Sequence, residues 1–362
     1  MGDPYILMLI ALAILATIDL VVGVSNDAVN FLNSAIGSKA IAIRNIMIIA
    51  SIGVFFGAIT SSGMMEVARK GIFNPGMFMF QDIMFIFMAV MITDILLLDV
   101  FNTLGMPTST TVSIVFELLG AAVAISLIKI SQNDAESINA IWNYINYEKA
   151  SLIIFGILLS VVVAFSVGAI VQFISRLIYS FNFEKKPSYI NALFGGFAIT
   201  AITYFIIIKG MKGTPYYNDV KYLIEDNTLS IIVGSFLFWT IISQVFIKFF
   251  NLNVLKLIIG IGTFSLAMAF SGNDLVNFIG VPIAAWNSYE AWSVSGIEAN
   301  AFSMEILAKK VPSNIWLLLI AGAIMVITLW TSSKARNVIK TGVVGILKGK
   351  NPVRLNKVLM YL

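Results

Sequence analysis

Two short stretches in an otherwise membrane-like sequence carry the residue types that could bind ions: Ser25-Asn26-Asp27-Ala28-Val29-Asn30-Phe31 and Gly272-Asn273-Asp274-Leu275-Val276-Asn277-Phe278. Both read N-D-x-V-N-F, and each follows an apolar run long enough to enter a bilayer. An ionisable side chain near the bilayer centre costs roughly 2.5 to 3.5 kcal/mol on insertion scales. Polar residues placed there twice, in the same order, are therefore the first candidates for a site. Asn and Asp are favoured helix N-caps, but capping needs one side chain and each motif supplies three. The Asn at i+3 from the Asp lies on the same helical face. Carboxylates with amide and carbonyl oxygens suit a hard cation, which makes sodium or a proton the expected occupant. Asn26, Asp27, Asn273 and Asp274 are its candidate ligands, with Asp19 and Asp94 as further ones.

A second constellation is Gly105-Met106-Pro107-Thr108-Ser109-Thr110-Thr111-Val112-Ser113. Proline breaks the preceding helix and suits the first turn of the next, so the hydroxyls gather at a new helix N-terminus. Unpaired N–H groups and the positive end of the helix dipole make such a terminus an anion site. Hydroxyls can also cap or back-bond locally, but four of them in five residues behind a proline exceed that need. The presumed span interiors contain Asp19, Asp27, Asp94, Asp99, Glu117 and Asp274 and no clearly central Lys or Arg. An anion there needs backbone and hydroxyl donors together with co-bound cations, which is the logic of symport. Asp94 and Asp99 read equally well as buried structural groups. Met64-Met65 and the run Phe78 to Phe87 read as lipid-facing or packing residues.

The elements that must position these groups are membrane spans. The 362 residues are 59% hydrophobic and 12% charged, with a mean hydropathy of +0.93, far above an ordinary soluble domain. With no Cys and no His, thiol chemistry, disulfides, and most zinc and haem sites are excluded. The pI of about 9.1 marks cytoplasmic loops and not a nucleic-acid partner. Apolar stretches of span length cover Tyr5–Val24, Asn45–Gly63, Ile83–Leu104, Leu152–Ile174, Ile190–Ile208, Leu229–Phe249, Val254–Phe270 and Ile315–Trp330. Tyr5–Val24 reads as a span and not as a signal peptide. Shorter apolar pieces, Ala28–Ile43, Thr110–Ile130 and Leu275–Ala285, follow the two motifs and the Pro107 break and predict broken helices at mid-membrane.

Basic residues dominate Ser38–Arg44, Arg176–Lys186, Lys248–Lys256 and the tail from Lys334, which the positive-inside rule places in the cytoplasm. The N-terminus is then outside and the C-terminus cytoplasmic, although Arg69-Lys70 falls outside in this arrangement. The two motifs enter the membrane with opposite polarity, the signature of an inverted repeat. The expected architecture is all-α: a polytopic membrane protein with two inverted-topology repeats and broken or re-entrant helices at the midplane. Its expected division is a first repeat over 1–130, connecting spans over 131–228, a second repeat over 229–331, and a basic tail over 332–362.

The duplicated N-D-x-x-N, the following Asn33-Ser34-Ala35-Ile36-Gly37-Ser38, and P-T-S-T-T at Pro107–Thr111 together resemble the inorganic phosphate transporter (PiT) family, over Val24 to Pro282. The family pattern is close to G-A-N-D-V-A-N-x-F-G-T-S-V-G-S with P-V-S-T-T-H. The resemblance implies sodium- or proton-coupled uptake of inorganic phosphate by a non-enzymatic carrier at the cell membrane. Carried over, it implies a cation and phosphate site lined by Asn26, Asp27, Asn30, Asn273, Asp274 and Asn277, with Ser109, Thr110 and Thr111 holding phosphate. No cofactor is expected beyond sodium as coupling ion. The expected partners are phosphate, sodium, the bilayer and, as a candidate assembly, further copies of the chain.

Three departures stand out. Val24-Ser25 and Ser271-Gly272 replace Gly-Ala before Asn-Asp, and Val112 replaces the His after S-T-T, which favours sodium over a proton. No second P-x-S-T-T follows Pro282. Two rival readings are a cation exchanger that uses the acidic motifs without an anion and a non-transporting membrane sensor or partner subunit. A membrane enzyme is disfavoured, because no nucleophile is paired with a base.

Overall fold

A computed structural model describes residues 3–61, 72–133, 136–179, 187–206, 217–308 and 315–347. Met64-Met65, Arg69-Lys70, most of the basic run beyond Tyr179, the first part of the 211–227 loop and the tail beyond Leu347 lie outside the described residues.

The described chain is helical throughout its named elements. In order these are α1 (Pro4–Ser38), α2 (Ile43–Thr60), α3 (Phe80–Leu104), α4 (Thr110–Gln132), the short α5 (Ile141–Tyr144), α6 (Tyr147–Tyr179), α7 (Ser188–Phe205), α8 (Tyr217–Asp226), α9 (Thr228–Phe250), α10 (Val254–Ser293), α11 (Ile315–Thr331) and α12 (Ser333–Leu347). Among the described residues eight helices are long and apolar enough to cross a membrane, and α11 with the first part of α12 adds a span bent by 66°. The chain is a multi-pass membrane protein.

Local chemistry sets the helix ends. Pro4 begins α1 and the Asp3 carboxylate accepts the Tyr5 N–H at 2.9 Å, the usual N-terminal arrangement. At the far end of α3 the chain reverses at Gly105, whose φ of 68° is the left-handed conformation that glycine takes without steric cost. Ser109 then caps α4 by accepting the Val112 N–H at 3.3 Å. The broken helices fall here and at the α11–α12 bend, not at the two motifs. Both motifs lie in the interior of continuous helices, so Asn26, Asp27, Asn273 and Asp274 cap nothing. The apolar residues on either side keep the helical ladder unbroken through each polar patch.

α1 is the shared wall of two apolar clusters. Its first half packs with α3, α4 and the Phe78–Phe80 segment, and its second half packs with α2, α10, α11 and α12. Phe78, Phe80 and Phe87 are buried in the first cluster, whereas Phe85 is exposed. The Phe-rich run is thus mainly core. α6 is exposed along nearly its whole apolar length, as a lipid-facing helix is.

The crossing of α1 and α10 places the site. Gly23 meets the Phe278 ring, Asp27 meets Asp274, and Phe31 meets Phe270 with ring centroids 6.1 Å apart. Each step of four residues forward along α1 is a step of four back along α10, so the two helices run antiparallel. α2 and α10 run the same way, as the hydrogen bonds from Ser271 Oγ to the Val54 carbonyl and from Ser61 Oγ to the Gly272 carbonyl show. Gly23 is required at this crossing because a Cβ there would overlap the Phe278 ring.

Candidate functional site: two antiparallel motifs at a helix break

Asn26 is fully buried and its amide is committed. Its Nδ2 donates to Asn102 Oδ1 at 2.8 Å and to the Met106 carbonyl at 3.1 Å, and its Oδ1 accepts the Thr108 N–H at 2.7 Å. Asn102 Nδ2 in turn donates to the Val22 carbonyl at 2.7 Å. These four bonds clasp the Gly105–Thr108 break against α1 and so fix where α4 begins. The first Asn of the motif thereby acts as a strut for the hydroxyl cluster, and one lone pair of its Oδ1 remains for a cation. Asn102 is the functional residue that motif reasoning missed. Its signal was a polar amide in an apolar helix one turn before the proline break.

Asp27 points to the new helix end. Thr110 Oγ1 donates to Asp27 Oδ2 at 3.3 Å and Asn30 Nδ2 to Oδ1 at 3.4 Å. Both bonds are long for their type. The Asp274 carboxyl faces that of Asp27 within hydrogen-bonding reach. One turn along α10, Asn277 Nδ2 donates to Thr111 Oγ1 at 3.0 Å. Six of the expected residues therefore converge from three helices: Asp27 and Asn30 from α1, Thr110 and Thr111 from α4, Asp274 and Asn277 from α10.

Burial is graded across this group. Asp27, Thr110, Asp274 and Asn277 are buried, Thr111 is half-buried, and Asn30, Ser109 and Asn273 are exposed. Two facing carboxylates without a counter-charge repel one another in a low-dielectric site. A cation between them removes that repulsion, and the N–H groups and hydroxyls at the start of α4 lie alongside for an anion.

The remaining acids separate into two kinds. Asp99 is half-buried and forms an ion pair with Lys334 of α12, so it stands apart from the motif carboxylates. Asp19 and Asp94 are fully buried and face one another, with Glu117 nearby. Among the described residues no three His, Cys, Asp or Glu side chains converge as a ready ligand set for one metal ion; the acids come as the pairs Asp27–Asp274 and Asp19–Asp94. Ser25 Oγ lies 2.7 Å from Ser332 Oγ, which accepts the Ala335 N–H at 3.1 Å. The first motif thus touches the α11–α12 bend as well as the α3–α4 break.

Known proteins are similar to this chain in sequence or in fold. A protein designated provisionally as a phosphate permease of Pyrococcus horikoshii is 24% identical over 314 residues, covering 82% of this chain and 68% of the relative. A protein of the same provisional designation from Pyrococcus abyssi is 25% identical over 335 residues, covering 88% and 73%. A solved structure described as the sodium-dependent phosphate transporter shares the fold with a TM-score of 0.61 at 20% identity, over 98% of this chain and 93% of that one. The sequence profile of the phosphate transporter family matches residues 23–354. With most of its length matched, both motifs included, the chain belongs to the phosphate transporter family, which is a family of carriers and not of enzymes.

Proposed function

We propose that this protein carries inorganic phosphate into the cell together with sodium, by alternating access around the crossing of α1 and α10. The observation that supports this most directly is the meeting of Asp27 and Asp274 beside the N-terminus of α4. Sodium is held between the two carboxylates, with Asn273 and the free lone pair of Asn26 completing its oxygen ligands. Phosphate is held by Ser109, Thr110, Thr111, Asn30 and Asn277 and by the backbone N–H groups of the first turn of α4. Without sodium the two carboxylates repel a phosphate anion; with sodium they attract it. Coupling follows from that change of sign. The long bonds from Asn30 and Thr110 to Asp27 tighten when ligands arrive.

In this reading 1–130 and 229–331 are the two moving repeats and 131–228 is scaffold, whereas the first part of the stretch read as a tail, 332–362, is α12, which packs against α1 in the apolar core. The protein sits in the cell membrane with its N-terminus outside. Proteoliposomes containing the purified protein should take up labelled phosphate in an inward sodium gradient and not in a potassium gradient. Sodium flux of equal size without phosphate would instead identify a cation exchanger. Neither flux, with phosphate still bound, would identify a sensor.

A further inference from the structure

A groove of about 620 Å³ runs between the first half of α1, the second half of α10 and α11, and no residue of either motif lines it. Its walls are apolar, with Leu9, Ala13 and Leu20 on α1, Ile279 and Ile283 on α10, and Ile320 on α11. The hydroxyl on the α1 wall is spent inside its own helix, where Thr17 Oγ1 donates to the Ala13 carbonyl at 3.1 Å. Trp286, Leu317 and Ile320 at the rim are exposed, so the groove opens on the outside of the helix bundle. α1 and α10 are of membrane-spanning length and α11 belongs to the bent span. What fills the groove therefore comes from the bilayer.

Aromatic residues mark its depth. Tyr5, Tyr289 and Trp292 pack together at one end of the bundle, with ring centroids 5.1 and 5.7 Å from that of Trp292, and Trp316 is exposed at the start of α11. Such rings gather where membrane meets water. The groove begins at Leu9, one turn inward from Tyr5, and ends at Leu20. Those eleven residues of α1 rise about 16 Å at 1.5 Å per residue, against about 15 Å for the hydrocarbon half of one leaflet. One polar group on the wall is unused. The side-chain NH₂ of Asn287 meets no acceptor in the protein, and a half-turn of the amide exchanges it with the side-chain oxygen.

We propose that this groove holds one acyl chain of a glycerolipid from the leaflet on the Tyr5 side, with Asn287 donating to the ester or ether oxygen at the head of that chain. A chain of methylenes supplies the van der Waals partners that the apolar walls otherwise lack. Leu20 and Ile279, at the inner end, lie within one turn of Gly23 and Phe278, so the lipid braces the crossing of α1 and α10 from the membrane side. The inference is independent of phosphate being carried, and its test measures lipid alone.

The purified full chain in detergent, titrated with palmitoyl-oleoyl phosphatidylglycerol and weighed by native mass spectrometry, should keep one lipid at detergent levels that strip the rest. That lipid should raise the melting temperature. Ala13→Phe, which puts a ring on an exposed part of the α1 wall, should lose the lipid and melt at the same temperature with and without it. Asn287→Leu should weaken retention about tenfold, the value of one hydrogen bond. Val162→Phe, on the exposed face of α6, should behave as the wild type. Should Ala13→Phe fail to fold, Ile320→Phe fills the same groove from α11. No retained lipid in the wild type overturns the proposal, as does a lipid kept in full by Ala13→Phe and Ile320→Phe or lost equally from Val162→Phe. A dimer that dissociates on either groove-filling substitution also overturns it, because a second copy of the chain then occupies the groove.

Discussion

The two N-D-x-V-N-F copies present the same polar groups in the same order, and their surroundings treat them differently. Asn26 is buried and held at three points against the α3–α4 break, whereas Asn273 is exposed on α10. Asn30 is exposed and bonds only to its own Asp27, whereas Asn277 is buried and reaches across to Thr111. Phe278 fills the space left by Gly23; at the matching place in the other copy Phe31 lies against Phe270. One copy therefore builds the break that offers the anion donors, and the other reaches into it. The difference arises from what packs against each helix. α1 borders α3, α4, α10, α11 and α12, whereas the sequence P-T-S-T-T that ends the break occurs once, at Pro107–Thr111.

That division of labour can be broken most decisively at the carboxylates, where the two copies are alike. Asp27→Asn and Asp274→Asn should each lower sodium-stimulated phosphate uptake by at least about 100-fold, the scale of losing one ion's charge partner in a low-dielectric site. Both proteins should still elute as the wild type does on size exclusion. Uptake close to normal in either one would show that the pair does not hold the coupling ion.

At the preceding asparagine the copies should part. Asn26→Ala strands Asn102, the Met106 carbonyl and the Thr108 N–H, and should destabilise the protein by about 3 kcal/mol with loss of phosphate binding. Asn273→Ala should cost within about 0.5 kcal/mol as an exposed change, with its effect confined to sodium affinity. Equal melting temperatures for the two variants would remove the strut role from Asn26. Gly23→Ala tests the helix crossing itself. The added methyl overlaps the Phe278 ring, and overpacking of this kind costs about 2 kcal/mol. Phe278→Leu in the same chain should restore much of the melting temperature.

The smallest expected effect falls on the anion side. Thr111→Val removes the acceptor for Asn277 and should weaken phosphate about tenfold, the value of one hydrogen bond of about 1.4 kcal/mol, with sodium binding unaltered. Thr110→Val, which also releases Asp27 Oδ2, should weaken both ligands. A phosphate-selective loss in both variants would place Asp27 outside the coupling between them.

Much of the fold could be read from the chain because a bilayer admits few solutions. Spans announced themselves by length and hydropathy, and α2, α3, α4, α7, α9 and α11 begin and end within about four residues of the stretches read from the sequence. The motifs misled on one point. Asn-Asp looked like a boundary because such residues favour caps, yet α1 and α10 run through it. Tertiary partners satisfy the polar groups from outside the helix, so the helix has no reason to stop. Val254–Phe270 and Leu275–Ala285 are for the same reason parts of one helix.

By itself the sequence determined which residues can carry the chemistry, that they lie in membrane, and that the two copies enter it from opposite sides. Those properties follow from side-chain type, span length and loop charge, which are local. The tertiary structure decided the partners. It set Asp27 against Asp274 and paired Asp99 with Lys334, used Asn26 as a clasp while leaving Asn273 open, and enclosed Asp19 and Asp94 against one another. Each of those outcomes depends on which helix crosses which, at what register, and spacing along one chain does not encode a contact between residues as far apart as 27 and 274.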